Sequence, residues 1–241
     1  RIRGLVDSRE PRIPADKRDG SLPLRPVEYG DCALLFRALS NVGIYEAALE
    51  RYGIPYYVVG GKAFYAQQEI YDLLNFLKTL DSVCDDVALA GVLRSPFFSL
   101  SDETLLFLAQ HTGGLAGGLF APQLSEVLEP EARRKAEFAA QTLRELRAVK
   151  NRLPIAELIN EIFARTAYDA IVTAEFLGDR KLANLRKIVE LARAFDRSGI
   201  FTLTAFIEQL GTSVVEQPDE AQAAAFAEGA NVVRIMSIHQ S

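Results

Sequence analysis

The sequence predicts a mostly α-helical protein with a small α/β part, in which a helical domain is inserted between strands of a partial parallel sheet. Three observations lead to this fold class. Short apolar runs typical of strands occur early in the chain. A helical spacing of apolar residues then dominates from Ala66 to about Leu210. A last strand-like run, Asn231–Met236, follows the helical part.

Composition places the chain among ordinary globular proteins. Apolar residues make up 49% and charged residues 24%, so disorder is not expected. A net charge of -5 gives no sign of a strongly basic nucleic-acid binder, although a local basic face can exist within an acidic total. Cys32 and Cys84 have no metal-binding spacing and sit among apolar neighbours, which indicates a reduced, cytoplasmic setting. We find neither a signal peptide nor a membrane-length apolar run, and with His111 and His239 as the only histidines no metal site is predicted.

The first strand is predicted at Asp31–Arg37, after a charged, proline-rich segment, Arg1–Val27, that we interpret as irregular. The run from Asp31 is almost continuously apolar, which is typical of a strand buried on both faces of a parallel sheet. Arg37 stands at the carboxyl end of this strand. Ser40 or Asn41 is placed to cap the helix that follows.

That helix, Val42–Arg51, and a second strand complete a βαβ unit. Gly53 ends the helix, because glycine accepts a left-handed backbone without a steric clash. Tyr56–Val59 is aromatic and β-branched, which favours a strand, and Gly60 and Gly61 close it. In such a unit the ligand crevice lies at the carboxyl ends of the strands.

The helical part is predicted as a series of amphipathic helices separated by glycine, proline and capping signals. The predicted ranges are Ala66 to Asp81, Asp85 to Leu93, a helix capped by Ser101, Pro130 to about Leu153, a helix from Pro154, Asp179 to Phe195, and Thr204 to Leu210. Gly113–Gly118 is predicted to be a flexible loop, and Gly211 to end the last helix. Thr212–Ala230 is interpreted as a linker or a loosely held helix.

The last strand, Asn231–Met236, is predicted to return to the sheet begun at Asp31. The helical part is then an insertion, and we expect three segments: 1–64 and 231–241 form one partial α/β domain, and 65–230 form a helical domain. Since the chain opens without methionine and stops within a motif, we expect it to be a fragment of a longer protein.

A set of short motifs occurs along the chain in a defined order. The motifs are Gly30–Arg37, Gly53–Tyr57, Gly60–Tyr65, Gln68–Ile70, Leu93–Pro96 with Leu100–Glu103, and Ile235–Ser241. Their order and spacing resemble those of superfamily 1 DNA helicases of the UvrD/Rep type, most closely the AddA and RecB helicase–nuclease subunits. The resemblance runs from about Tyr29 to Ser241, and the motif beginning at Leu93 points to the AddA branch.

The resemblance implies that 1–64 and 231–241 belong to the second RecA-like motor domain and that 65–230 is an accessory, 2B-like domain. It implies an ATP-dependent DNA helicase of the bacterial cytoplasm that translocates on single-stranded DNA and unwinds duplex DNA in double-strand-break repair and recombination. ATP and Mg²⁺ are then expected in the full-length protein, and its expected partners are single-stranded DNA, duplex DNA and an AddB-like subunit. The sequence contains no phosphate loop, no Walker B acid pair and no recognisable nuclease carboxylates, so this fragment alone is predicted to be inactive and to hold no cofactor.

By the same resemblance, Arg37 matches the motif IV arginine that reaches the γ-phosphate of ATP, and we take it as the catalytic candidate. A guanidinium offers a planar set of donors and a fixed charge, which suits a transferring phosphoryl group. Phe36 matches an aromatic position near the adenine. The alternative for Arg37 is a surface arginine at a strand end, and the alternative for Phe36 is a core phenylalanine.

Ser237 and His239 match motif V residues that contact single-stranded DNA, since a hydroxyl and an imidazole N–H both donate to phosphate oxygens. Gly60 and Gly61 are candidates for the close approach of a DNA backbone, since glycine has no side chain. For His239 the alternative is a chain-end histidine without a partner. For Gly60 and Gly61 it is a tight strand-to-helix turn. Phe97–Leu100 stands where UvrD-type relatives carry a glycine-rich turn for duplex contact.

Two basic helix faces are candidates for contact with duplex DNA. They comprise Arg133, Arg134, Lys135, Arg144, Arg147, Lys150 and Arg152, and Arg180, Lys181, Arg186, Lys187, Arg193 and Arg197. Acidic residues are interleaved with both, which favours solvated helix faces. The alternative function for the chain as a whole is a non-catalytic helical module that binds a partner protein through apolar patches.

Overall fold

A computed structural model describes residues 1–15, 23–37, 39–58, 64–82, 84–121, 128–199, 202–216 and 231–238. These residues form two compact units. The sheet unit comprises Arg1–Ala63 with Asp219–Ser241, and the helical unit comprises Phe64–Pro218. The predicted fold class is confirmed, because the chain is mostly helical and its α/β part contains a three-stranded parallel sheet.

The sheet unit is built from short elements. They are α1 (Ile2–Asp7), β1 (Pro11–Pro14), β2 (Leu24–Pro26), β3 (Ala33–Phe36), α2 (Val42–Arg51), β4 (Tyr56–Val58) and β5 (Val233–Ser237). The parallel sheet has the order β3-β5-β4, so the last strand of the chain lies between the first two. The predicted return of this strand to the sheet is confirmed.

Burial in the sheet is uneven. Val233 and Ile235 of β5 are fully buried, and Tyr56 and Val58 of β4 are nearly so. In β3 the side chains alternate between exposed and half-buried, and Leu35 keeps 55% of its surface accessible. The prediction that this strand is buried on both faces is therefore wrong. A continuous apolar run shows that a strand can be covered, but it does not say which faces the fold covers.

The amino-terminal segment is more regular than predicted. It contains α1, which is held by a hydrogen bond from Arg3 Nη1 to the Tyr52 carbonyl oxygen (3.0 Å), and β1 and β2, which pair antiparallel. Prolines can occur in this ribbon, because both strands of a two-stranded sheet are edge strands, and half of the N–H groups of an edge strand face solvent and not the partner strand. The interpretation of Arg1–Val27 as irregular is corrected accordingly.

The turns of the βαβ unit follow the sequence signals in part. Gly53 has a positive φ of 62° at the end of α2, as its role as a helix stop requires. Asn41 occupies the N-cap position of α2, but its side chain makes no capping hydrogen bond.

The cysteines are free thiols, and Cys84 is exposed, contrary to the apolar setting expected for it.

The helical unit contains nine helices among its described residues. They are α3 (Gln68–Asp81), α4 (Asp86–Arg94), α5 (Asp102–Ala109), α6 (Gly114–Leu119), α7 (Pro130–Val149), α8 (Ile155–Thr166), α9 (Tyr168–Thr173), α10 (Gly178–Arg197) and α11 (Leu203–Glu216). The predicted cap of α5 is confirmed, since the Ser101 side chain accepts a hydrogen bond from the Thr104 backbone N–H.

Two predictions for the helical unit are wrong, and one helix was missed. Gly113–Gly118 is not a loop, because helix α6 begins at Gly114. Gly211 does not end a helix, since α11 continues to Glu216 and absorbs the start of the predicted linker. Helix α9 was not predicted. At Gly114 and Gly211 the helical structure outweighs a propensity of about 1 kcal/mol per glycine. The remainder of the predicted linker lies outside the described residues.

Helix α3 is the centre of the helical unit. Its predicted apolar stripe is confirmed, since Ile70, Leu73, Leu77 and Leu80 are fully buried. It contacts α4, α7, α10 and α11. A helix surrounded in this way buries apolar area on most of its circumference, so it supplies much of the hydrophobic stabilisation of the unit.

Helix α3 also carries two buried carboxylates, each of which is hydrogen-bonded to a distant helix. Asp72 accepts from the Tyr168 hydroxyl (2.9 Å) and from Gln68 Nε2 (2.7 Å). Glu69 accepts from Asn184 Nδ2 (2.7 Å). These bonds compensate for the removal of the polar groups from water and tie α3 to α9 and α10. Burial nevertheless raises the pKa of Asp72, and it also raises the pKa of Tyr168.

The segment Phe97–Leu100, which the resemblance sets in place of a glycine-rich turn, is part of this core. The Phe97 ring stacks on Tyr168 with centroids 3.7 Å apart, and it also packs against Phe76. Phe98 and Leu100 are buried as well. Their apolar surface contributes to the stability of the helical unit and is not available to duplex DNA.

None of the described helices combines the length and the low charge needed to cross a lipid bilayer.

Replacing Tyr168 with Phe should destabilise the helical unit by about 1–3 kcal/mol, because one oxygen of the buried Asp72 loses its donor. Urea unfolding of this chain measures the change. Tyr71→Phe on the exposed side of α3 is the matched control, and its effect should stay within about 0.5 kcal/mol. Equal effects of the two variants would show that the Tyr168 hydroxyl contributes nothing.

Asp72 should also make stability depend on pH. Burial raises the pKa of Asp72 in the folded state above the ~3.9 of the unfolded chain, and the negative charges of Glu69 and Glu175 act in the same direction. Its stabilising contribution is therefore complete below pH ~4 and is lost as the pH rises through the folded-state pKa. The unfolding free energy of the parent chain minus that of Asp72→Asn should fall across this window. A rise in that difference would contradict the assignment.

Two glycines within helices should respond oppositely to alanine. A Cβ at Gly118 would lie 2.1 Å from the Leu108 carbonyl oxygen, whereas a Cβ at Gly211 meets no atom within 4 Å. We expect Gly118→Ala to lower the melting temperature at a cost of about 1–3 kcal/mol. Gly211→Ala should stabilise by about 0.5–1 kcal/mol through helix propensity. Thermal unfolding followed by circular dichroism measures both, and two changes of the same sign would refute the packing argument.

Candidate functional site

The candidate site is the carboxyl edge of the parallel sheet. Strands β3 and β5 pair in a register that sets Phe36 opposite Ser237, and the Ile238 backbone N–H donates to the Phe36 carbonyl oxygen (2.9 Å). Arg37 is the first residue after β3. Because parallel strands end at the same edge of a sheet, the structure brings three predicted site residues, Phe36, Arg37 and Ser237, to one place.

Arg37 presents an available cation at this edge. Its side chain is exposed, and it makes no hydrogen bond or ion pair with any residue of the described ranges. A guanidinium in this state keeps all five N–H donors and its full charge for a ligand. An exposed arginine at this place can bind an anionic group such as a phosphate, or it can be a surface arginine without a ligand. The catalytic role of Arg37 therefore stays a prediction here.

Phe36 forms an aromatic contact beside this edge. Its half-buried ring packs edge-on against Tyr45 of α2, with centroids 4.7 Å apart and the planes at 73°. Phe36 is not part of the fully buried core, and Tyr45 is 46% exposed. The pair offers partly accessible aromatic surface on which a planar base could stack, and the adenine role of Phe36 remains a prediction.

The predicted DNA-contacting residues are described only in part. Ser237 is half-buried and already takes part in an interaction within the protein. Gly60, Gly61 and His239 lie outside the described residues. The DNA-binding assignments of all four remain predictions.

A polar cluster at the opposite, amino-terminal end of β3 was missed by the sequence reasoning. Arg25 of β2 makes two hydrogen bonds to the Asp31 carboxylate, Nη1 to Oδ2 and Nη2 to Oδ1, each of 2.7 Å. Asp31 also accepts from the Glu28 backbone N–H (2.9 Å) and closes a reciprocal capping box with Glu28 around the 3-10 turn Tyr29–Asp31. The Asp31 carboxylate raises the pKa of the Arg25 guanidinium.

One further bond joins the starts of two strands that are far apart in the sequence. Asn231 Oδ1 accepts from the Gly30 backbone N–H (2.9 Å) across 201 residues. The Glu28–Asp31 spacing, that of a capping box, was a signal for the turn. Nothing in the sequence pointed to Arg25 or Asn231, because their partners are determined by the fold.

The basic faces of α7 and α10 are largely engaged within the helical unit. On α7, Lys135 pairs with Glu131 (2.9 Å), and Lys150 donates to the Leu80 and Asp81 carbonyl oxygens at the end of α3. Arg144 lies over the Phe120 ring. These contacts support the interpretation of the basic face of α7 as a solvated helix face, and its Lys150 also caps the end of α3.

Helix α10 follows the same pattern. Arg180 is buried, Lys187 lies over the Phe64 ring with Nζ 4.4 Å from its centroid, and Arg193 pairs with Glu190. A groove of about 520 Å³ runs along this helix between apolar residues that include Phe163 and Leu185. Two arginines of this basic face, Arg186 and Arg193, line the groove, whereas Phe36, Arg37 and Ser237 do not. Within the described part of the chain, no group of three or more His, Cys, Asp or Glu residues is arranged to hold a metal ion.

Comparison with known proteins identifies the family that this chain matches. The profile of the UvrD-like helicase C-terminal domain matches residues 21–241. Similar curated proteins include the AddA subunit of the ATP-dependent helicase/nuclease from Carboxydothermus hydrogenoformans, which is 34% identical over 223 residues, covering 90% of this chain and 18% of the relative. The proteins of the same name from Lactobacillus delbrueckii subsp. bulgaricus (31% over 242 residues) and Bacillus cereus (30% over 251 residues) align with all of this chain and 19% of their own length. The chain thus spans less than a fifth of the length of these relatives.

Proposed function

We infer the function of this chain from its family, since it belongs to the UvrD-like helicase C-terminal domains. We propose that it acts within a longer polypeptide as part of an ATP-dependent helicase/nuclease subunit of the AddA type. The polypeptide would translocate on single-stranded DNA and unwind duplex DNA in double-strand-break repair in the bacterial cytoplasm. The proposal is supported by relatives that bear the name of the AddA helicase/nuclease subunit, which align over 90–100% of the chain.

The observation that carries the proposal is the parallel register that sets Phe36 opposite Ser237 and leaves Arg37 exposed at the carboxyl edge of the sheet. Ligands of open parallel sheets bind at such edges. We propose that the sheet unit is part of the second RecA-like motor domain, made of 1–64 and 231–241. The helical part, 65–230, would be the accessory, 2B-like domain.

Arg37 would bind the γ-phosphate of ATP, the substrate of the full-length protein, which carries Mg²⁺ with it. The magnesium ion would neutralise part of the phosphate charge. The guanidinium of Arg37 would stabilise the charge that spreads over the transferring phosphoryl oxygens, where a fixed and correctly oriented cation has its largest effect. Phe36, supported by Tyr45, would offer an aromatic surface to the adenine.

Single-stranded DNA would be contacted through the hydroxyl of Ser237, with Gly60, Gly61 and His239 as the further candidates. An AddB-like subunit would be the protein partner. The chain by itself would hydrolyse no ATP, because its sequence has no phosphate loop to hold the nucleotide opposite Arg37. Family membership favours this function over a non-catalytic interaction module.

Arg37→Ala in the full-length protein should lower kcat for DNA-stimulated ATP hydrolysis by about 10²–10³-fold, as expected when one donor to a developing charge is removed. Arg37→Lys should fall between Arg37→Ala and the parent protein, because it keeps the charge and loses the planar fork. Steady-state ATPase assays give these values, and melting curves verify folding.

Arg51→Ala is the matched control for the loss of an exposed arginine in the same unit, and it should leave turnover unchanged. Near-normal turnover of Arg37→Ala would exclude the assignment of Arg37 to the phosphate.

A further inference from the structure

We propose that Arg25, Asp31 and Asn231 are positioning residues that fix the register of β3 on β5, and thereby the point at which Arg37 leaves the sheet. The functional part of this inference rests on the proposed role of Arg37. Asp31 and Asn231 lie at the amino-terminal ends of β3 and β5, and Arg25 of β2 contacts Asp31, whereas Arg37 lies at the carboxyl end of β3.

Burial specifies the register of β3 only weakly. The strand has four residues, of which Ala33 and Leu35 are exposed and Leu34 and Phe36 are half-buried. Register is strongly specified where a strand hides one face completely, and it is weakly specified where both faces meet solvent. A slip of one residue would turn every side chain of β3 to the opposite face, and Arg37 with them.

The neighbouring pair in the same sheet behaves differently. Strand β5 also pairs with β4, and there Tyr56 faces Val233 and Val58 faces Ile235, all four of which are buried. A slip in this ladder would expose a compact apolar cluster, so burial alone determines its register. Within this sheet it is β3 that needs a further constraint.

The Arg25–Asp31 pair can supply that constraint at the start of β3. Two parallel hydrogen bonds of 2.7 Å give it a defined orientation, which a single point contact would not. The Asp31 side chain is 8% exposed and that of Arg25 is 28% exposed, so solvent screens the pair less than it screens a surface ion pair. The chain therefore enters β3 from a position fixed by β2.

Asn231 connects this fixed point to the partner strand. Its side-chain oxygen binds the Gly30 N–H next to Asp31, and the first ladder bond follows at once, from the Arg234 N–H to the Cys32 carbonyl oxygen (3.1 Å). The first residues of β3 and β5 are thus held beside each other. Because parallel strands rise by the same distance per residue, this start places Phe36 opposite Ser237.

These residues act at a distance from the candidate site. Arg37 follows Asp31 by six positions, which corresponds to about 20 Å of extended chain. The cluster therefore cannot contact a phosphate bound by Arg37. It acts through the geometry of the strand, so its residues are positioning residues and not catalytic ones.

Site-resolved hydrogen exchange on the full-length protein tests the register directly. In Asn231→Ala and in Asp31→Asn, the Arg234 and Ile238 amides, which bond to the β3 side, should exchange about tenfold faster through local opening. The Val233 amide bonds to Pro55 on the β4 side and should stay protected, which separates loosening of β3 from global unfolding.

Arg12→Ala is the matched control, because it removes an exposed ion pair with Glu10 on the same two-stranded ribbon and should leave all three amides unchanged. Unchanged exchange at Arg234 and Ile238 in Asn231→Ala and Asp31→Asn would overturn the proposal.

ATPase kinetics then test whether the register acts through Arg37. Asn231→Ala should lower kcat about tenfold while KM for ATP changes less than about twofold, as for the loss of an interaction made in the transition state. Added to Arg37→Ala, it should cause no further loss, because a residue that acts only through Arg37 has nothing left to position.

If the losses in kcat of the two single variants multiply in the double variant, Asn231 has only a general structural role, and the positioning proposal is wrong. Normal turnover of Arg37→Ala alone would instead overturn the proposed function, and the exchange rates would still decide the register.

Discussion

The sheet unit depends on one strand, Val233–Ser237, which lies between Ala33–Phe36 and Tyr56–Val58 and pairs with both. About 170 residues or more separate this strand from each of its two partners, yet the entropic cost of closing a longer connection grows only with the logarithm of its length. The connection here contains a unit with its own hydrophobic core, so most of its residues are ordered independently of the pairing. A compact insertion of this kind allows a short central strand to complete a sheet from a distant part of the chain.

In the helical unit, groups that look functional in the sequence are used for packing. Phe97 and Phe98 fill the core next to Phe76, and several lysines and arginines of α7 and α10 pair with acids, cover aromatic rings or cap a neighbouring helix. Each of these contacts lowers the cost of placing a polar or charged group near the core. A count of basic residues on a helix therefore overstates the charge that the helix offers to a ligand.

The edge of the sheet shows a division between groups that would meet a ligand and groups that hold them in place. Arg37 is exposed and, within the described residues, makes no contact that would use its donors, whereas Arg25 and Asp31 satisfy each other at the far end of the same strand. The first kind of residue can be recognised by its place in a motif. The second kind is recognised by its contacts, and one of its members, Arg25, lies in a segment that composition marks as irregular.

The sequence by itself determined most of the helices and their apolar stripes, the βαβ unit and the return of the last strand, because apolar periodicity and turn residues encode local structure and its buried face. It also determined the family motifs and the position of Arg37 at a strand end. Only the tertiary structure decided which faces of β3 are covered, that Gly114 starts a helix and α11 passes through Gly211, and that Asn231 meets Gly30. These features depend on partners distant in sequence, and an energy of about 1 kcal/mol in local propensity is outweighed by the packing and hydrogen bonds that those partners supply.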